Sequence, residues 1–239
     1  MDIAIREISR EFDLEKSMAE RLRKLANFEV VIVCDDSGSM LTPVDGTQRT
    51  RWDELRKIVK LILKIGVKFD SNGVDIYFLN GDSFTNVRDP HDVDQFFETP
   101  PHDYTPLVPV LNKIFQSKLA NVGREKKLLV FVATDGMPTD EDGNTNIDEL
   151  KRAMEETRQV ETTYVSFLLC TDESNCVDYL NEWDRTMRNV DVTDDFNTEK
   201  EKILRCSKKA DQRFSYGDYV VKALIGAIDP DIDTLDEPA

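Results

Sequence analysis

Four almost wholly apolar runs of strand length constrain the fold of this chain more than any other feature of its sequence. They are FEVVIVCD (28–35), VDIYFL (74–79), KLLVFVAT (127–134) and TTYVSFLLC (162–170). Such runs are typical of strands that are buried on both faces, as in parallel sheets. Segments with helical periodicity separate them, which predicts an α/β fold with a doubly wound, mainly parallel central sheet flanked by helices.

The segments between these runs repeat apolar residues at helical spacing. The clearest example follows Thr50 and places Trp52, Leu55, Ile58, Val59, Ile62 and Leu63 on one face. Further helices are predicted over 1–26, 92–98, 105–120, 146–160, 176–188, 197–210 and 216–228. Shorter strands are predicted over 84–88, as an antiparallel edge strand, and over 190–193.

These elements divide the chain into three predicted parts. Residues 1–26 form an N-terminal helical extension, residues 27–228 form one α/β domain, and residues 229–239 form an acidic tail. The tail DPDIDTLDEPA has two prolines and few apolar residues, which predicts that it is mobile.

The charge balance narrows the classes of partner. Acidic residues outnumber basic residues by 47 to 31, so the net charge is −16. A surface this acidic repels phosphate backbones, and we therefore expect no nucleic-acid binding. The same charge favours cations and basic partners.

Several sequence features favour an intracellular protein. The N-terminal residues lack the apolar core of a secretory signal. No apolar run approaches the roughly 20 residues that span a bilayer, so we expect no membrane insertion. The 4 cysteines show no paired spacing, which favours a reducing, cytoplasmic setting. A fragment of a longer secreted protein is the alternative, and the oligomeric state is not predicted.

Oxygen-bearing side chains follow two of the predicted buried strands. Asp35 ends the first run, Ser37 and Ser39 follow it, and Asp135 comes directly after KLLVFVAT. Thr105 opens a predicted helix between them. In open α/β sheets ligands bind outside the carboxyl ends of the strands, and oxygen-only ligands suit hard divalent cations.

The strings DDSGSM, TPL and ATDGMPTD resemble the von Willebrand factor type A (VWA) family and its metal-ion-dependent adhesion site (MIDAS). The resemblance covers roughly residues 27–228 and implies a Rossmann-like fold. It implies that Ser37, Ser39 and Thr105 contact the metal directly in at least one state, while Asp35 and Asp135 often act through waters. Glycines often precede the threonine in the family, whereas Pro100–Tyr104 precede it here, and residues 1–26 lie outside the usual domain.

By this resemblance the predicted function is binding rather than catalysis. One divalent cation, Mg²⁺ with Mn²⁺ or Ca²⁺ as alternatives, would bridge the domain to an acidic group of a protein partner. A scaffold or assembly subunit with a mainly structural metal site is one alternative. A metal-assisted hydrolase is another, although the sequence offers only carboxylates such as Asp36 and Asp103 as a general base. Asp36 itself is expected to be a solvated loop residue.

Overall fold

The computed structural model describes residues 3–44, 46–117, 125–171, 173–207 and 213–236, and a six-stranded sheet lies at its centre. The strands are β1 (Phe28–Cys34), β2 (Val74–Phe78), β3 (Ser83–Val87), β4 (Lys127–Thr134), β5 (Thr163–Leu169) and β6 (Val190–Thr193). Their order is β3-β2-β1-β4-β5-β6, and only β3 runs antiparallel to its neighbour. The predicted α/β fold with one short antiparallel edge strand is confirmed.

The central strands are covered on both faces, which explains why their sequences lack polar alternation. Along β1, Val30 and Ile32 belong to one apolar cluster, whereas Val31 and Val33 belong to a second cluster on the opposite face. All residues of β4 except Lys127 are buried. Side chains of successive strand residues point to opposite faces, so both faces of a central strand must be apolar.

Ten α-helices flank the sheet in the described ranges. They are α1 (Ile3–Glu11), α2 (Lys16–Arg21), α3 (Arg51–Phe69), α4 (Asp92–Phe96), α5 (Leu107–Phe115), α6 (Ile147–Arg152), α7 (Ser174–Thr186), α8 (Phe196–Cys206), α9 (Tyr216–Ile225) and α10 (Pro230–Asp233). The predicted helix ends at 118–120 and 208–210, and tail residues 237–239, lie outside the described residues. None of the helices in the described ranges combines the length and apolar character that crossing a bilayer requires.

A capping box fixes the start of α3. The Thr50 side chain accepts a hydrogen bond from the backbone of Asp53, and the Asp53 carboxylate accepts one from the backbone of Thr50. This reciprocal pair satisfies backbone donors that a helix start leaves free. Because α3 begins here, Arg51 is its first residue and lies at the carboxyl edge of the sheet, close to Asp135.

The prediction of a single helix over 1–26 is wrong. Helices α1 and α2 are separated by a turn in which Asp13 has a φ of 52°, in the left-handed region. The Glu15 amide donates to Asp218 at 2.8 Å, and the Phe12 carbonyl approaches Gly217 so closely that a Cβ there would lie 2.1 Å from its oxygen. Contacts with α9 therefore override the helical periodicity of the segment.

The C-terminal segment packs back onto the N-terminal one. Asp229 is buried and accepts from Arg21 at 2.8 Å, and the Lys24 ammonium lies 3.0 Å from the same carboxylate. Pro230 then opens α10, whose Ile232 is 2% exposed. Residues 230–236 thus form short helical turns against the domain, while the predicted mobility of 229–239 stays a prediction.

Candidate metal centre

Two neighbouring parallel strands place Asp35 and Asp135 at the same edge of the sheet. Strand β1 pairs with β4 so that Cys34 lies opposite Ala133. The Asp35 amide continues this ladder by donating to the Ala133 carbonyl at 3.0 Å. Both aspartates therefore follow directly on the carboxyl ends of adjacent strands, where ligands bind in open α/β sheets.

Hydrogen bonds join the loop after β1 to the loop after β4. The Ser39 hydroxyl donates to Asp135 Oδ1 at 2.7 Å, and its oxygen lies 3.0 Å from Ser37 Oγ. The Asp35 carboxylate accepts from the Ser37 amide at 2.9 Å and from the Thr134 hydroxyl at 2.6 Å. Asp35, Ser37 and Asp135 are buried while Ser39 is exposed, so the cluster opens to solvent at Ser39.

The predicted Thr105 lies against the loop that carries Asp135. A Cβ added to Gly136 would lie 3.9 Å from Thr105 Oγ1. The backbone of Thr105 bonds Thr139 twice, donating to its hydroxyl at 2.9 Å and accepting from its amide at 3.0 Å. The structure thus brings Asp35, Ser37, Ser39 and Asp135 together and places Thr105 beside the loop that carries Asp135. That they bind a metal stays a prediction.

Arg51 also lies at this site, although it was not predicted from the sequence. Its guanidinium donates to Asp135 Oδ2 at 2.8 Å and to the Thr171 hydroxyl at 2.9 Å, and the residue is 8% exposed. Asp135 therefore uses one oxygen for Ser39 and the other for Arg51. A basic residue in the first turn of a helix interacts unfavourably with the helix dipole. Its presence at position 51 was a signal in the sequence that Arg51 has an acidic partner to offset this.

The expectation that Asp36 is solvated is wrong. It is 6% exposed, and its carboxylate accepts from the Asn80 amide at 2.8 Å and the Asn80 side chain at 3.2 Å. Asn80 in turn donates to the Tyr104 carbonyl at 2.9 Å. Asp36 therefore connects the β2–β3 loop to the loop that ends at Thr105, and burial raises its pKa.

The electrostatics of the site suit a cation. Burial, and then the nearby charge of Asp135, raise the pKa of Asp35 to about 6, so the protein without a cation holds this carboxylate at a cost. The described donors are carboxylate and hydroxyl oxygens, the ligands that Mg²⁺ and Ca²⁺ prefer. The residues present therefore fit a hard divalent ion in chemistry, with Arg51 as a partial competitor for Asp135.

A cleft of about 260 Å³ lies beside this site, between α3, the end of β5 and the starts of α8 and α9. Its walls include the basic side chains of Arg49, Arg51 and Lys57 and the aromatic side chains of Phe196 and Tyr216. Arg51 belongs to both the cleft and the metal centre. Basic side chains thus adjoin the candidate centre, although Glu54 and Asp195 line the same cleft and Arg49 pairs with Glu54 at 3.3 Å.

A second group of potential metal ligands lies elsewhere in the fold. Carboxylate oxygens of Asp184 (α7), Asp191 (β6) and Asp233 (α10) all lie within 4.8 Å of one another, so this cluster could hold a metal ion. The sequence analysis did not identify it, because the three residues come from separate elements and share no local motif.

Comparisons with known proteins give a distant structural likeness. No protein-family model and no curated protein matches this sequence. Two crystal structures of the pilus adhesin SpaC from Lactobacillus rhamnosus GG are similar at 14% sequence identity, with TM-scores of 0.47 and, for the open conformation, 0.45. Each covers 82% of this chain, which spans only 31% and 30% of the SpaC chains.

Proposed function

We propose that this chain is a metal-dependent protein-binding domain of the VWA type. Asp35, Ser37, Ser39, Thr105 and Asp135 would hold one divalent cation, Mg²⁺ in the first place, and a partner carboxylate would complete its coordination. The observation that carries the proposal is the hydrogen-bonded series from Ser37 through Ser39 to Asp135, which stands at the carboxyl ends of two adjacent parallel strands.

The charges around the site favour an anionic partner group. Three of the five proposed ligands are neutral hydroxyls, and Arg51 already offsets the charge of Asp135 at 2.8 Å. A bound cation would therefore keep much of its positive charge and attract one more anionic oxygen. Lys57 in the adjoining cleft would favour the same partner carboxylate, whereas Arg49 already pairs with Glu54 at 3.3 Å.

Metal-dependent capture of a partner tests this proposal. Immobilised wild-type protein is incubated with cell extract in Mg²⁺ or in chelator, beside Ser39→Ala. Ser39 is exposed, so its replacement removes one hydroxyl ligand with little effect on the core. We expect a set of proteins that wild type retains in Mg²⁺ and releases in chelator, and that Ser39→Ala retains at least tenfold more weakly.

The matched control is Ser83→Ala, which removes an exposed hydroxyl from the edge strand β3. It should retain the same proteins as wild type. Retention that is the same in chelator as in Mg²⁺ would count against a cation bridge. Equal retention by Ser39→Ala and Ser83→Ala would also count against it.

The Arg51 ion pair favours a second candidate, a scaffold subunit whose metal site is mainly structural. Because the guanidinium occupies one oxygen of Asp135, the site is partly neutralised by the protein itself. A melting temperature that rises with Mg²⁺, without any Mg²⁺-dependent partner, would support this scaffold. The intracellular setting that such a role implies stays a prediction.

We infer that the domain is not an enzyme, and the loop before Thr105 offers the residues that test this. His102 Nδ1 lies 2.8 Å from Asp103 Oδ2, a pair that could serve a hydrolase as a general base. Both side chains are exposed. Phosphate- and carboxylate-ester substrates should be hydrolysed no faster by wild type in Mg²⁺ than by His102→Ala; a loss of turnover in that variant would contradict the inference.

A further inference from the structure

The cluster of Asp184, Asp191 and Asp233 contains a buried carboxylate that the protein compensates only in part. Asp191 is 1% exposed, and its Oδ1 atom has no hydrogen-bond partner in the described part of the chain. Its other oxygen accepts from the Thr193 hydroxyl at 3.3 Å. Burying a carboxylate with one unsatisfied oxygen is costly, so either a proton, which Asp191 can share with Asp233, or a cation must accompany it.

The shape of the surroundings holds Asp191 in this position. A Cβ added to Gly226 would lie 2.2 Å from Asp191 Oδ1, so the carboxylate packs directly against Gly226 and any larger residue there would displace it. The oxygens of Asp184 and Asp233 approach it from α7 and α10. Three separate elements therefore direct carboxylates to one point.

The nearby ammonium group does not balance these charges. Lys222 is 1% exposed, and its Nζ lies 3.1 Å from Glu199 Oε1 and 3.5 Å from Asp236 Oδ1. The charge of Lys222 acts on Asp191 more strongly than on Glu199 or Asp236, so one positive charge is divided among all three carboxylates. Lys202 also acts on Glu199 and Asp236 but pairs directly with Asp194, so the carboxylates here still outnumber the ammonium groups.

We propose that Asp184, Asp191 and Asp233 bind a second hard divalent cation, with Ca²⁺ as the best fit, and that this cation fastens α10 to β6 and α7. Ca²⁺ binds several carboxylates, each through one or both of its oxygens, and tolerates irregular coordination geometry. The site shares no residue with the candidate centre at Asp35 and Asp135, and so does not depend on the proposed function.

The bound cation would control the attachment of the C-terminal segment. That segment is otherwise held by Ile232, which is buried, and by Asp229 with Arg21 and Lys24. With the cation removed, repulsion between Asp233 and Asp191 opposes the docking of α10. Ca²⁺ is therefore expected to protect the backbone amides of residues 229–236 from hydrogen exchange.

Calcium titration of five proteins by calorimetry tests the site. They are wild type, Asp233→Asn, Ser39→Ala, the double variant of these two substitutions, and the control Asp231→Asn. Asp233→Asn keeps the size of the side chain and removes its charge, and Asp231→Asn, on the same helix but exposed, is the matched control. We expect Asp233→Asn to remove one Ca²⁺ equivalent from wild type and from Ser39→Ala alike, whereas Asp231→Asn removes none.

The melting temperature gives an independent test, because the difference between Asp233→Asn and wild type should change sign when Ca²⁺ is added. In chelator, Asp233→Asn should melt at a higher temperature than wild type, because it relieves repulsion between carboxylates. In Ca²⁺ the order should reverse. An unchanged Ca²⁺ stoichiometry in Asp233→Asn, in both backgrounds, would overturn the second site, whatever happens at Ser39.

Discussion

Arg51 is the residue on which the charge balance of the candidate metal centre depends. It pairs with Asp135 at 2.8 Å while 8% exposed. In chelator, Arg51→Ala should lower the free energy of unfolding by about 3 kcal/mol, because it leaves a buried carboxylate without its cation. Mg²⁺ should then restore more stability to this variant than to wild type, since the metal replaces the lost charge.

Urea denaturation with and without Mg²⁺ measures both effects. Arg56→Ala is the control, because Arg56 lies on the same helix with a side chain that is 42% exposed, and its loss should change stability by less than about 0.5 kcal/mol. Equal gains from Mg²⁺ in Arg51→Ala and wild type would show that Arg51 and the metal do not share Asp135.

Asp35 makes the stability of the metal-free protein depend on pH. Its folded-state pKa is raised from 3.8 to about 6, so its contribution to stability is fully present below pH 3.8 and is lost as the pH rises through 6. A rise of this size corresponds to at most about 3 kcal/mol. In chelator, Asp35→Asn should therefore be more stable than wild type at pH 8, and the difference should vanish near pH 4.

Denaturation of both proteins at several pH values in chelator checks this sign. Asparagine keeps an oxygen for the Ser37 amide, so the hydrogen bond at 2.9 Å can persist. A wild type that stays more stable than Asp35→Asn at pH 8 without metal would mean that burial does not destabilise the charged carboxylate.

At the scale of elements, the sequence predicted the sheet better than the helices. Each apolar run became a strand because burial on both faces demands uninterrupted apolar residues, a local property. The single helix predicted over 1–26 failed because its break depends on Gly217 and Asp218, about 200 residues along the chain. The spacing of apolar residues within 1–26 does not reveal such a distant partner.

The same distinction applies to the candidate site. Asp35 and Asp135 were predictable because each directly follows a recognisable strand. The roles of Arg51 and Asp36 were not, since they rest on partners 84 and 44 residues away. The positions of the proposed ligands followed from the predicted strands, whereas the charged residues that contact them could be identified only in the tertiary structure.

A substitution at Gly217 tests how strongly the packing of α1 and α2 depends on their contact with α9. A methyl group there would meet the Phe12 carbonyl at 2.1 Å, so Gly217→Ala must displace the turn between α1 and α2. We expect a loss of about 2 kcal/mol or more and faster hydrogen exchange in residues 3–21, measured by mass spectrometry. Unchanged exchange in that segment would show that α1 and α2 do not depend on this contact.

At the scale of the whole molecule, the net charge of −16 should favour partners whose carboxylate has basic neighbours. A carboxylate within an acidic peptide is repelled before it reaches the metal, whereas one flanked by lysines is attracted. In Mg²⁺ at low salt, we expect a peptide with one aspartate among lysines to bind at least tenfold more tightly than the same peptide with glutamates.

Fluorescence polarisation of labelled peptides measures this preference. Raising the salt to about 0.3 M should narrow the difference, because it screens charges that lie apart on the surface. A lysine-rich peptide without aspartate is the control and should bind without regard to Mg²⁺. Equal affinity of the two aspartate peptides at low salt would mean that the global charge does not guide recognition.

The proposed function requires that the residues at the ends of β1 and β4 hold a cation. Calorimetric titration of Mg²⁺ into Asp233→Asn, which lacks the second cluster, tests this most directly. We expect one Mg²⁺ equivalent, lost or weakened at least tenfold when Ser39→Ala is added and unchanged when Ser83→Ala is added. Absence of Mg²⁺ binding, or binding that Ser39→Ala leaves intact, would contradict the proposed metal centre.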